Sequence, residues 1–377
     1  MTDRTALHTA VILLLFCSLG NGGSVTVIAV GDIMMGSDFP ASRLPPDQGS
    51  GLFTNVADIL RSADLTLGNL EGVLLDGGVC AKNPSKGKVY AFRTPTSYAR
   101  YLADAGFDFL NLANNHMNDF GLAGIQSTKE SLEALGIEYG GPEGRTGTFR
   151  IVRMDSADVA GSTDSTGRAD SAGNVVSADT LRVSIACFAT SPGADLIFDI
   201  KKAQQKVAGL ARDNDIVIVS FHGGAEGLGC LHTRDTFEYF LGTPRGNVVA
   251  FARAVVDSGA DLVWGHGPHV PRAMEMYKDR LIAYSLGNFC TYGFNISGEL
   301  GYAPILKAVL DTTGVFMHGE IISALQTANQ PLIVDSLHRA ARLIARLSAE
   351  DFPLSAPQIT EEGIILLSGT DPEEKAE

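Results

Sequence analysis

The chain has 377 residues, enough for one large domain or two moderate ones, so burying a sizeable core poses no difficulty. Charged residues make up only 19%, with Lys+Arg 29 against Asp+Glu 43 and a formal net charge of −14. That balance argues against nucleic acid as a partner, because phosphate binding needs a clustered basic surface, and it disfavours docking on anionic lipid headgroups.

The N-terminus carries Arg4 and His8, an apolar run over 10–19 and small residues through Ser24. The run is too short to span a bilayer. With Ser18 and Gly20 at cleavage-like spacing it reads as a secretory signal over 1–23, with an uncleaved anchor as the alternative. Bulky Phe16 before Cys17 disfavours lipidation. An exported protein permits disulfides. Of Cys80, Cys187, Cys230 and Cys290, the pair in loop-like stretches, Cys80 with Cys230, is the best candidate for a bridge, and Cys187 sits in an apolar run as a buried thiol.

Val25-Thr-Val-Ile-Ala-Val30 is a β-branched run that ends in Gly31-Asp32. Helical spacing follows over 55–62, then a strand over 64–67 that ends in Gly68-Asn-Leu-Glu71. Thr94-Pro95 opens a helix through 102, and a third strand over 108–112 leads into Ala113-Asn-Asn-His116, with Asp119 and Gly121 beyond it. A helix over 125–135 stops at Gly136. Residues 155–179 change to Ser, Asp, Gly, Ala and Thr without periodicity and read as a surface insertion. Beyond them come a strand over 181–188, a helix over 201–212 and a strand over 215–221 that ends in His222. A helix over 248–257 precedes a strand over 261–264, which ends in Gly265-His266 and contains Trp264 as a core residue. Strands over 281–284, 305–310 and 315–321 look more antiparallel, and a helix over 336–347 precedes an acidic tail. The main domain is therefore expected over 24–325, with a C-terminal appendage over 326–377. Alternating strands and helices imply an α/β fold with a largely parallel sheet, and the strand-rich later half implies a second sheet packed on the first.

Five polar clusters end these runs: Gly31-Asp32, Gly68-Asn-Leu-Glu71, Ala113-Asn-Asn-His116, Phe221-His-Gly-Gly-Ala-Glu226 and Gly265-His-Gly-Pro-His269. Asp, Glu, Asn and His hold divalent metals of intermediate hardness, and four of the eight histidines lie in these clusters. Ligands of open α/β sheets bind at the carboxyl ends of the strands. Each cluster alone reads equally as a turn or helix cap; together they point to a metal site.

The motifs Gly-Asp-Ile-Met-Met-Gly36, Asn-Leu-Glu71, Ala-Asn-Asn-His-Met-Asn-Asp-Phe-Gly121, His-Gly-Gly-Ala-Glu226, Gly-His-Gly-Pro-His269 and Tyr-Ser-Leu-Gly-Asn-Phe289 resemble the capsule-synthesis CapA (PgsA) family, over about 25–310. That family is linked to poly-γ-glutamate and belongs to the calcineurin-like metallophosphoesterases. The resemblance implies a four-layered metallophosphatase-like sandwich of two mixed sheets flanked by helices. It also implies one or two divalent ions (manganese, iron, zinc or magnesium) at the strand ends. Carried over residue by residue, the implied metal ligands are Asp32, Glu71 (where a bridging carboxylate often stands), Asn115, His222, His266 and His269. His116 is the implied general acid. Asp119, grouped with His116, either orients an imidazole or caps the following helix. Asn69, Asn114, Glu226 and Asn288 are supporting residues, Asn288 also reading as a turn. Two departures stand out: Met34 occupies the usual position of a histidine, and Gly267-Pro268 rather than one residue separates the last histidines. They leave the position nearest Asp32 weaker, differently liganded or empty. The implied function is that of an exported metal-dependent hydrolase or transferase, periplasmic or at the cell surface, acting on an anionic extracellular polymer or its precursor. The alternative is a non-catalytic subunit of a membrane synthesis or export complex with a structural metal site.

Overall fold

The computed structural model describes residues 23–82, 90–153, 179–294 and 296–367. The expected signal segment, nearly all of the expected insertion and the acidic end of the tail lie outside these residues.

The strand Ser24–Met34 shows how the layers arise. Side chains along a strand alternate between its faces. Val25, Val27 and Ala29 enter one core together with Val183, Ile185, Ile218 and Trp264. Ile28, Val30 and Ile33 enter another with Leu60, Leu102 and Leu110. The first core lies between two sheets and the second lies beneath helices. Among the described residues the first sheet has ten strands, and at its centre Ser24–Met34 pairs in parallel with Leu65–Leu70, which pairs in parallel with Phe109–Asn111. The second has seven, built around the parallel strands Asp179–Ala189, Ile216–His222 and Leu262–His266. The sheets are tied directly, because Trp264 Nε1 donates to the Val30 carbonyl at 2.9 Å.

Helices Ala99–Ala105 and Gly121–Glu133 cover the outer face of the first sheet. Ile200–Asp213 and Val248–Val256 cover that of the second, each opened by a side-chain cap: Asp199 accepts from Lys202 N, and Asn247 from Ala250 N. The four-layered sandwich of two mixed sheets is the expected fold.

Details differ from expectation. The strands Tyr302–Asp311 and Phe316–Leu325 return to the first sheet, and the second is made by the middle of the chain. The early strands also run further than their apolar stretches, through Asp32 and Asn69, because neighbouring strands and loops satisfy their backbone beyond the apolar residues. The last helix spans Arg339–Asp351 rather than 336–347, since Asp335 holds Leu337 N and Arg339 N in a turn first. It straddles the edge of the sandwich, with Ala341 and Ile344 in the inter-sheet core and Leu343 and Leu347 in the outer one. Cys80, Cys187, Cys230 and Cys290 are all free, so the expected Cys80–Cys230 bridge is not formed. Cys80 packs at the loop cluster of Val73 and Phe120, whereas Cys230 sits in a short turn after the His222 loop.

Candidate metal centre

The parallel strands of both sheets end at the same edge of the sandwich, and their terminal polar residues meet there. Gly31 makes the approach possible: a Cβ at this position would lie 1.9 Å from the Gly287 carbonyl oxygen, where the chain crosses back into the first sheet. Asp32 N donates to that carbonyl at 2.9 Å. Gly267, at φ 110, folds the last histidine loop against the His222 ring.

Asp32 is fully buried and stands at the centre. Its Oδ1 accepts from Asn69 Nδ2 at 2.8 Å and lies 3.8 Å from His222 Nδ1 and 3.7 Å from His266 Nδ1. Its Oδ2 lies 2.9 Å from His269 Nδ1 and accepts from Gly267 N at 3.3 Å. Two groups of potential ligand atoms result, Asp32–His222–His266 and Asp32–Glu71–His269, each with its atoms within 4.8 Å of one another. Asp32, not Glu71, is common to both.

Several donors have nothing else to bind. Glu71 Oε1, His222 Nε2 and Asn115 Oδ1 are buried without a hydrogen-bond partner. Orphaned buried polar atoms are costly, and two of these, Glu71 Oε1 and His222 Nε2, belong to the ligand groups around Asp32, which fits a divalent cation. Asn115 shares a turn with Asn114, whose Nδ2 donates to Asn69 Oδ1 at 3.1 Å and to the Leu70 carbonyl at 2.8 Å, which ties the third strand end to the second. Met34 supplies no ligand, because its sulfur accepts from Gly36 N at 3.3 Å.

The electrostatics divide the centre. Burial depresses His222 well below the usual histidine range and His266 to about 4, so both rings are neutral at pH 7. Burial pushes the Glu71 carboxyl up to about 8 against the charge of His269. Burial opposes the charge on His269, but Glu71 and Asp32 overcome it and raise the ring to about 10. For Asp32, burial is outweighed by the hydrogen bond and charge of His269, the charge of His266 and the Asn69 bond, which together hold the carboxyl below the usual range. One side is thus a neutral imidazole pair, and the other a His269 ring held between the Asp32 and Glu71 carboxyls, with which it shares its proton.

His116 stands at the edge of this group, with Nε2 3.7 Å from Glu71 Oε1 and the ring stacked on Phe92 at 4.1 Å. Its Nδ1 lies 2.8 Å from Asp119 Oδ2. A carboxylate only accepts, so Nδ1 carries the proton and Nε2 is the nitrogen that changes state. Burial lowers the pKa of His116 against the hydrogen bond to Asp119. Asp119 does not cap the next helix, whose N-cap is Phe120 without a side-chain bond. Glu226 joins Arg245 Nη2 at 3.2 Å to His269 Nε2 at 3.8 Å. Asn288 opens a strand in register with Asp32, rather than a turn, and its amide donates to the Leu300 carbonyl at 3.0 Å.

Some residues at the centre were not singled out beforehand. Ser220 Oγ and Asn111 Nδ2 lie 2.9 and 3.0 Å from His266 Nε2 and hold its ring with Nδ1 inward. Each is a lone polar residue within an apolar strand run, and that is a readable signal. Lys82 and Arg245 carried none.

Among solved structures, similarity is found to a hypothetical protein from Thermus thermophilus (TM-score 0.43, 16% identity, 79% of this chain and 98% of that one). It is also found to the calcineurin-like phosphoesterase YfkN from Bacillus subtilis (TM-score 0.41, 14% identity, 80% and 90%). Among curated proteins the chain is 31% identical over 269 residues to the capsule biosynthesis protein CapA of Bacillus anthracis, covering 70% of this chain and 59% of the relative. It is 28% identical over 268 residues to the PGA biosynthesis protein CapA of Bacillus subtilis (strain 168), covering 69% and 61%. The chain thus spans about three-fifths of the length of these relatives. Residues 26–292, which carry every strand end described above, match the bacterial capsule synthesis protein PGA_cap, and the chain belongs to that family.

Proposed function

We propose that this chain is an exported metal-dependent hydrolase or transferase of poly-γ-glutamate capsule biosynthesis, acting at a phosphoester or amide centre of the anionic polymer or its precursor. The observation that carries this reading is Asp32, shared by two ligand groups whose remaining donors, Glu71 Oε1 and His222 Nε2, are buried without partners. Asp32, His222 and His266 would hold one divalent ion, and Asp32, Glu71 and His269 a second, with Asn115 Oδ1 available to complete the set. Such an ion supplies Lewis acidity and brings the ionisation of water toward neutral pH. His116 does what a structural ion does not need: it presents Nε2 toward the centre while Asp119 keeps the proton on Nδ1, so the ring can pass a proton to a leaving oxygen or nitrogen. Asn69 and Asn114 hold Asp32 and the third strand end in place, and Glu226 with Arg245 steadies His269.

A second reading, a non-catalytic subunit of a membrane synthesis or export complex, is favoured by one observation: the Met34 sulfur is turned to Gly36 N, which leaves Asp32 without a neighbouring ligand from its own strand. Metal analysis of the purified chain, then assay on an aryl phosphodiester and on γ-linked glutamate polymer, separates the two. Under the enzyme reading, His116→Ala keeps the metal and loses turnover. Protein that stays inactive after addition of manganese, iron, zinc or magnesium supports the subunit reading instead.

A further inference from the structure

Lys82 lies outside every motif quoted above, yet its ammonium is built into the His116 corner. Nζ is 2.5 Å from Asp119 Oδ1, donates to the Tyr90 carbonyl at 2.9 Å and lies 3.3 Å from His116 Nδ1. Asp119 is the hub on which this part of the chain rides: its side chain is fully buried, its carbonyl accepts from Ala81 N at 2.8 Å, and its Oδ2 accepts from Phe92 N at 2.7 Å. Phe92 in turn stacks on the His116 ring. Both faces of the Asp119 carboxylate are therefore assigned, Oδ1 to Lys82 and Oδ2 to the imidazole and Phe92 N.

We infer that Lys82 is a positioning residue for His116. Its ammonium fixes the rotation of the Asp119 carboxylate, so Oδ2 holds the Nδ1 proton and only Nε2 is offered to the centre. Without the ammonium, a buried carboxylate beside an imidazole loses its countercharge, and the ring loses its single tautomer. The role rests on the catalytic reading of His116 given above.

The test uses the full chain with Lys82→Met and Lys82→Arg, read by steady-state kinetics and by ring-nitrogen NMR with labelled histidine, the His116 signals being identified by their loss in His116→Ala. The expected result for Lys82→Met is a kcat about 10- to 100-fold lower with KM unchanged, together with loss of the single Nδ1–H pattern of His116. Lys82→Arg recovers most of both. A Lys82→Met protein with unchanged tautomer and kcat would reduce Lys82 to a loop anchor, and a raised KM at constant kcat would make it a direct substrate contact. Either result overturns the inference. Should the wild-type chain turn over neither substrate, the catalytic reading falls, while the NMR pattern still decides whether Lys82 sets the His116 ring.

Discussion

Loading the centre with divalent metal at pH 7 is expected to expel at least one proton. Before loading, burial raises Glu71 to about 8 and the Glu71 and Asp32 charges raise His269 to about 10; because His269 owes its value first to the Glu71 charge, the pair holds at least one proton at neutral pH. His222 is depressed well below its usual range and His266 to about 4, so neither has one to release. A metal ligand must be deprotonated, so filling the Asp32–Glu71–His269 group releases that proton. Apparent affinity for the ion at the Asp32–Glu71–His269 group should then rise about 10-fold or more from pH 6 to pH 7, while that at Asp32–His222–His266 stays nearly flat. Calorimetric titration with manganese or zinc in buffers of different ionisation enthalpy measures the count directly. Glu71→Gln should lower it by about one proton. A count below about half a proton at pH 7, with pH-independent affinity at both positions, would refute the division of the centre into a neutral and a protonated side.

Three further expectations follow from the same geometry. Glu71 and His269 both have raised pKa values in the folded chain, so the stability they contribute is lost as pH rises, for Glu71 from its ordinary 4.5 through about 8 and for His269 from 6.5 through about 10. Metal-free protein should lose about 1 kcal/mol or more between pH 7 and pH 8, a loss that saturating metal removes; urea titration with and without chelator checks this. Asp32→Ala should abolish binding at both positions, whereas Glu71→Gln should weaken only one, as read by metal content after dialysis; equal losses from the two would deny Asp32 its shared place. Gly31→Ala drives a Cβ into the Gly287 and Leu286 carbonyl oxygens, at 1.9 and 2.7 Å, and should destabilise the fold by about 3 kcal/mol or more, measured as a fall in Tm.

Local chemistry made much of this legible along the chain. The β-branched apolar runs after Ser24 and Asp215 mark strands, Gly136 stops a helix, and carboxylate, amide and imidazole side chains follow apolar runs at Asp32, Glu71, Asn115, His222 and His266, where the strands hand over to loops. What stayed hidden depends on separations of tens to hundreds of residues. That Asp32 belongs to both ligand groups, that Tyr302–Asp311 returns beside the first strand, that Cys80 and Cys230 remain apart, and that Lys82 reaches Asp119 all follow from how two sheets stack and where the chain crosses between them. Periodicity reports which face of an element is buried, and carries no record of which distant element covers it.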